Sequence, residues 1–388
     1  MEIVCNLLTG VITAETPLHI GSGTHFGIIK QTRDYIPGSV MRGATGATLI
    51  KMICVKPENV NKHKECPLRT ECLYFQLYQD EENKASNIIF RNAYPRHQGC
   101  ANKGTYIPTP KTLFICKNKK CEERYNTYNP PPKCTKCGED IKPFDGFICA
   151  SCQTITPFPM DIQRITRTAI NRMYNSAAVI QPIPGEEAYG TLHTKDVVPK
   201  DINYTLQIIV HPEAEPHIKT LVDILEKALP DEGIGGSKSR GLGKVSVKIE
   251  KIEKISVEDL DKRVQQITPE DFSLRLISDA VIEKPIIPPE TLLAAARRAY
   301  TWAYHAGAPA LPDLQLKKWR VTTGTFSGWS LKGNRRRDIE PTVVAGSVFH
   351  YTSQGGEQLA RSLAALEYLA IGKWKPLGLG QVKIENIP

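Results

Sequence analysis

The chain has 388 residues, 41% hydrophobic and 23% charged, with a net charge of +9. That length suggests two domains with a sizeable buried core, and the composition excludes a disordered or low-complexity chain. No apolar run approaches the ~18 residues of a membrane span, and the start MEIVCNLLTG lacks the pattern of a secretory signal, so a cytoplasmic protein with an anionic partner and no membrane is expected.

Residues 2–16 alternate and end in PLHIGSG, which predicts a strand feeding a glycine turn. Pro37-Gly38-Ser39 signals a helix start with Ser39 as the N-cap. Val40, Ala44, Ala47, Ile50 and Cys54 would form its apolar face, and Gly43 and Gly46 would admit another backbone. Residues 60–160 read as an insertion, with little periodicity, three consecutive prolines (Pro130, Pro131 and Pro132) and most of the cysteines. Regularity returns with the strand YTLQIIV from Tyr204. An amphipathic helix follows through Ile218, Leu221, Val222, Leu225 and Leu229. Then come the glycine stretch GIGGSKSRGLGKV (233–245) and a strand through Val245, Val247 and Ile249.

The C-terminal part repeats this order. SVFHYTS reads as a strand, GEQLARSLAALEYLAI as a helix, GKWKPLGLG as a basic glycine loop and QVKIENI as a strand. Gly241-Leu242-Gly243-Lys244-Val245 and Gly378-Leu379-Gly380-Gln381-Val382 agree at four of five positions, the mark of an internal duplication. The second copy begins near Phe272 and includes the helix ETLLAAARRAYTWAYHA. The expected fold is α+β. Two ferredoxin-like (RRM-like, βαββαβ) units span 1–265 and 266–388, each an antiparallel sheet with two helices on one face.

Glycines let a backbone take positive φ and let a ligand approach closely, and successive N–H groups can converge on an anion. In the first loop, Ser237 and Ser239 add hydroxyls, while Lys238, Arg240 and Lys244 add charge. The stretch precedes a strand and is not a Walker loop, so a nucleic-acid backbone suits it better than a nucleoside triphosphate. The second loop offers Lys373 and Lys375. Arg335, Arg336 and Arg337 suit an electrostatic contact, and Tyr174 and Tyr189 are candidates to stack on splayed bases.

Six of the eleven cysteines form short-spaced pairs: Cys116/Cys121, Cys134/Cys137 and Cys149/Cys152. Such pairs in a cytosolic chain predict structural zinc, four thiolates leaving no open position for water. Cys134/Cys137 could share a metal with Cys149/Cys152 or with Cys116/Cys121. A third pair would join Cys66 and Cys72, or Cys100, or stay free.

PLHIGSG, DYIPGSVMRGA and GIGGSKSRGLGKV, in this order, resemble the RAMP superfamily of CRISPR proteins. RNAYPR, YIPTPKTL and the cysteine insertion are most similar to the RAMP subunit of type III-D effector complexes, the Csx-ten type. The resemblance implies a non-catalytic guide-RNA-binding subunit for antiviral defence. It would hold the 5′ repeat-derived tag and cap the RAMP backbone. Its partners would be the other RAMP subunits, the large polymerase-like subunit and, through the complex, target RNA. It further implies RNA contacts from Gly235, Gly236, Ser237, Lys238, Ser239, Arg240, Gly241 and Gly243, with Ser39 and Arg42 nearby, and from Arg164, Arg167 and Arg172 in a basic segment.

Two alternatives stand beside it. Some relatives cleave RNA without metal by means of a histidine, and His19 and His25 lie near the first glycine turn. Others cut target RNA with an aspartate after that turn; here Thr24 and His25 occupy the region and Asp34 comes later, which speaks against target cleavage. A metal-independent CRISPR RNA-processing endoribonuclease is thus the first alternative. A zinc-ribbon RNA-binding protein outside CRISPR is the second.

Overall fold

The computed structural model describes residues 2–26, 29–56, 65–79, 86–171, 173–180, 189–190, 192–330 and 335–386. Strand β1 (Ile3–Ala14) buries every even-numbered residue from Val4 to Ala14, as its alternation requires. It is followed by β2 (Gly21–Phe26), β3 (Ile29–Thr32), helix α1 (Gly38–Ile53) and β4 (Ile88–Phe90). After the cysteine-bearing segment come β5 (Gln163–Thr168), β6 (Leu192–Val197) and β7 (Asn203–Val210). A helical stretch over 218–232 (α2), β8 (Val245–Ser256) and α3 (Val257–Val264) complete the first half. The second half contains β9 (Asp271–Leu276), α4 (Pro289–Tyr304), β10 (Leu314–Arg320), β11 (Val348–Ser353), α5 (Glu357–Leu369) and β12 (Val382–Glu385).

The two principal sheets have the same order. β8-β1-β7-β4 and β12-β9-β11-β10 both place the fourth strand beside the first, the first beside the third and the third beside the second, all antiparallel. The class is α+β with antiparallel sheets. An accessory sheet, β5-β6-β3-β2, carries one parallel pair, β6 with β3.

The first sheet is covered on both faces. Ile208 and Val210 of β7 join the core that includes α1 and α2, whereas Ile209 joins the core of the second half with Ile89, Leu363 and Leu366. This explains the unbroken apolar run Ile208-Ile209-Val210. Full burial of each such side chain contributes about 1.5–3 kcal/mol, which favours the docked halves over separate ones. Among the described residues no helix is long and apolar enough to cross a membrane.

Four local expectations are corrected. The cap of α1 is Pro37, not Ser39, because the side-chain Oδ1 of Asn92 accepts from the Gly38 N–H at 2.9 Å. The buried face of α1 is rotated to Met41, Arg42, Thr45, Gly46, Thr48 and Leu49, so a polar-rich stripe faces inward. Gly46 admits the rings of Tyr74 and Tyr78, and the glycine meeting another backbone is Gly38, where a Cβ would lie 2.1 Å from Phe90 O. The span 60–160 is also not all outside the sheet: Ile88–Phe90 is its edge strand, and Tyr94–Pro95 pairs with β7.

The cysteine-bearing segment bridges the halves. The Tyr94 hydroxyl donates to Ile277 O at 2.6 Å, the Lys111 N–H donates to Gly346 O at 2.8 Å, and the Tyr128 and Ser273 hydroxyls lie 3.0 Å apart.

Candidate nucleic-acid interface and metal centres

The first glycine loop leaves α2 at Gly233 and enters β8 at Val245. A single 3-10 turn, Lys238–Arg240, lies between two left-handed residues, Ser237 (φ 64°) and Gly241 (φ 81°). Ile234 N–H donates to Gly243 O at 2.8 Å and closes the base of the loop. Several glycines are required by internal packing. A Cβ on Gly235 would lie 2.7 Å from His19 O, and one on Gly243 would lie 2.3 Å from Ile234 O. Gly236 rests on His19 and donates to its carbonyl at 2.9 Å. Gly241 faces open space.

Beside the tip lies a small depression lined by Arg167, His193, Lys195, Ser237 and Arg240. The accessory sheet builds it: Arg167 of β5 is paired with His193 of β6, and Lys195 of β6 with Lys30 of β3. Lys195 donates to the Ser237 hydroxyl, and Arg167 donates to Arg240 O at 2.9 Å. Lys30, Arg167, Lys195 and Arg240 make no ion pair among the described residues. Burial, then Lys30, Arg240 and Arg167, hold the Lys195 ammonium below the ordinary lysine range. Cations without a carboxylate partner, gathered beside an exposed loop tip, attract anions.

The other expected residues separate into groups. Ser239, Gly241 and Lys244 are exposed on the loop outside the depression, and the Lys238 stem covers Gly233 and Gly243. Arg164 is engaged with Asp196 at 2.9 Å. Arg42 is buried, with its guanidinium on Tyr78 O at 3.2 Å, Ser86 Oγ at 3.0 Å and the Tyr78 ring. Ser39 is half-buried in the first turn of α1. Tyr174 is exposed, and Arg337 lies over the Trp374 ring at 4.7 Å. Arg172 and the side chains of His25, Tyr189, Arg335 and Arg336 lie outside the described residues.

Of the remaining catalytic candidates, Asp34 is half-buried; burial raises its pKa, and Arg33 is the cation acting on it. His19 is buried beneath the loop, donating from Nδ1 to Asp196 O at 2.9 Å, and burial lowers its pKa, which favours a neutral imidazole. His193, Lys195 and Lys30 were not singled out from sequence. The alternation of His193 and Lys195 in LHTKDV, opposite Arg167, is the signal that could have found them.

The second glycine loop repeats the backbone of the first in other surroundings. Its 3-10 turn, Lys375–Leu377, lies between left-handed Trp374 (φ 58°) and Gly378 (φ 87°). Residues 377–380 are buried, and a Cβ on Gly378 would lie 2.8 Å from both Phe90 O and Asn92 Oδ1. Lys373 approaches Glu340 at 3.5 Å.

Two groups of four metal-ligand atoms form in the cysteine-bearing segment. Cys116, Cys121, Cys134 and Cys137 are one; His97, Cys100, Cys149 and Cys152 are the other. In each, all ligand atoms lie within 4.8 Å of one another. The Sγ atoms of Cys116 and Cys137 are 3.3 Å apart and those of Cys121 and Cys134 are 3.7 Å apart; Cys152 Sγ is 3.3 Å from His97 Nδ1. A tetrahedral zinc thiolate site has Sγ atoms about 3.7 Å apart, so both sets fit such an ion. The Tyr125 hydroxyl bonds Cys134 and brings its pKa down to about 6, and Thr154 does the same for Cys152. Of the pairings left open by spacing, Cys134/Cys137 meets Cys116/Cys121, whereas Cys149/Cys152 meets Cys100 and His97. His97 had been missed, although His97-x-x-Cys100 mirrors Cys149-x-x-Cys152.

No curated protein matches the chain. Among solved structures, it is similar to a chain of the type III-B Cmr-beta complex in the apo state, at 14% identity over 63% of this chain and 97% of that one, with a TM-score of 0.36. It is also similar to a chain of a Cas6 product complex, at 11% identity over 98% and 99%, with a TM-score of 0.40. A third is a chain of Cmr-beta bound to cognate target RNA and AMPPnP, at 9% identity over 89% and 86%, with a TM-score of 0.41. The RAMP superfamily model matches residues 11–246, from within β1 through the first glycine loop and into β8. Because that match takes in more than half of the chain, this protein belongs to the RAMP superfamily.

Proposed function

We propose that this chain is a guide-RNA-binding subunit of a type III CRISPR effector complex. Each principal sheet with its helices is one ferredoxin-like unit, 1–265 and 266–388, and the first carries an insertion organised by two structural zinc ions. The carrying observation is the cluster of Lys30, Arg167, Lys195 and Arg240 around the exposed first loop. These cations repel one another and gain most from a phosphate-rich partner. The protein would meet RNA phosphates there and meet neighbouring RAMP subunits elsewhere. The type III-D assignment and the hold on the 5′ tag rest on motif resemblance. Zinc suits the ligand sets, because it would replace the core that the insertion lacks.

The test is binding of labelled CRISPR-repeat RNA across a salt series without added divalent metal. Wild type should shift the RNA intact, with affinity falling steeply as salt rises. Equal affinity in an Arg240→Ala, Lys195→Ala double variant would sink the assignment. Processing is the second reading because His193 stands in the cation cluster. Cleavage at one position, abolished by His193→Ala, would establish it. Elemental analysis should give two zinc ions per chain, and one in either Cys134→Ser or His97→Ala; an unchanged content in both variants would refute the metal assignment.

A further inference from the structure

A cavity of about 730 Å³ opens beside the second glycine loop, between residues 372–377, the segment 281–288 and the face of α4 that carries Thr291 and Arg298. Ile282, Ile286, Trp374 and Leu377 give it an apolar, partly aromatic floor. Five cations and Glu283 line the same space; Arg42 is bonded to Tyr78 O and Ser86, Lys284 pairs with Glu290 and Lys373 with Glu340, which leaves Lys375 and Arg298. Lys375 is half-buried, and neither it nor Arg298 of α4 makes an ion pair among the described residues. The strongest charge acting on Lys375 is Arg298 itself. Two like charges sharing a partly desolvated wall are unfavourable until an anion joins them.

Trp374 adds an aromatic wall to the same space. An L-residue in the left-handed region carries roughly 1–2 kcal/mol of strain. Here a bulky aromatic holds φ 58° and ψ 28°, fixed by donation from its indole N–H to Glu340 and by Arg337 over its ring at 4.7 Å. The strained side chain lines the cavity.

We infer that this cavity binds a nucleotide, with its phosphate between Lys375 and Arg298 and its base on the floor of Trp374, Ile282 and Ile286. The volume falls within the ~300–1,000 Å³ of small-molecule sites and exceeds what a bare phosphate would fill. An uncharged base alone would leave the cations unpaired. The occupant is either a free mononucleotide or a nucleotide of bound RNA.

Calorimetric titration of the full-length protein tests this with the four nucleoside monophosphates, their nucleosides and inorganic phosphate. The tightest monophosphate should bind one per chain, at least tenfold tighter than its nucleoside or phosphate. Lys375→Met and Arg298→Gln should each weaken it tenfold or more; Arg298 is exposed, so that variant keeps the fold. Arg240→Ala should leave it unchanged while weakening RNA binding, which separates this site from the proposed interface. Competition by single-stranded RNA, lost in Lys375→Met, identifies the occupant as part of the RNA. Independent binding identifies a free nucleotide. No saturable monophosphate binding, equal binding of nucleoside, or wild-type affinity in both variants overturns the inference.

Discussion

The two glycine loops have one backbone and two uses. Gly233 (φ 65°), Ser237, Gly241 and Gly243 (φ 89°) correspond to Ala370 (φ 72°), Trp374, Gly378 and Gly380 (φ 72°), each pair retaining a positive φ. Ile234 and Ile371 close the two bases with the same 2.8 Å bond, to Gly243 O and Gly380 O. The first tip faces open space beside basic strands, whereas the second is pressed against Phe90 and Asn92 of the first half. Loop geometry therefore supplies a shape, and its neighbours decide whether its left-handed glycine stands open or is packed against the other half.

The corresponding glycines give the largest expected contrast. Gly378→Ala combines left-handed strain with overpacking against backbone and should lower unfolding free energy by about 3 kcal/mol or more in urea titrations. Gly241→Ala adds strain alone and should lower it by about 1 kcal/mol. Equal losses would break the comparison. RNA affinity should show the reverse preference. Arg240→Ala should weaken binding about tenfold and reduce the salt slope by about one phosphate contact. Lys373→Ala, which removes a partner of Glu340, should change affinity less than about twofold; polarisation titrations at several salt concentrations compare them.

The smallest effect concerns pH. Burial, then Arg298, push the free Lys375 ammonium down to about 8. Its positive charge is present below that value and lost above it, so monophosphate affinity in the cavity should decline as pH rises from 7 to 9. Arg42, Glu283, Lys284, Arg298 and Lys373 also line the cavity. The decline should vanish in Lys375→Met; a decline of equal size there would assign it to another group.

Much of this architecture was legible because it is written in local patterns. Alternation located β1, β7 and β8, and the repeated pentapeptide located both loops before any contact was known. What escaped depends on neighbours distant in sequence. Nothing local to Gly38 announces Asn92 as its cap, and nothing in GKWKPLGLG distinguishes a docked loop from an exposed one. Lys30 and Lys195 are unremarkable singly and come together through a parallel strand pairing across more than 160 residues. His97 was passed over because one imidazole lacks the signature that paired cysteines carry.

Asn92 stands where the two halves exchange constraints. Its side chain caps α1 at Gly38 and limits the space at Gly378. A substitution drifting into any one of these three positions therefore needs a compensating change at another. Gly241 at the first tip carries no such mutual obligation, since a Cβ there would meet open space. Over evolutionary time the exposed loop can accept a change at Gly241 alone, whereas the docked loop can change at Gly378 only together with the partner half that holds it.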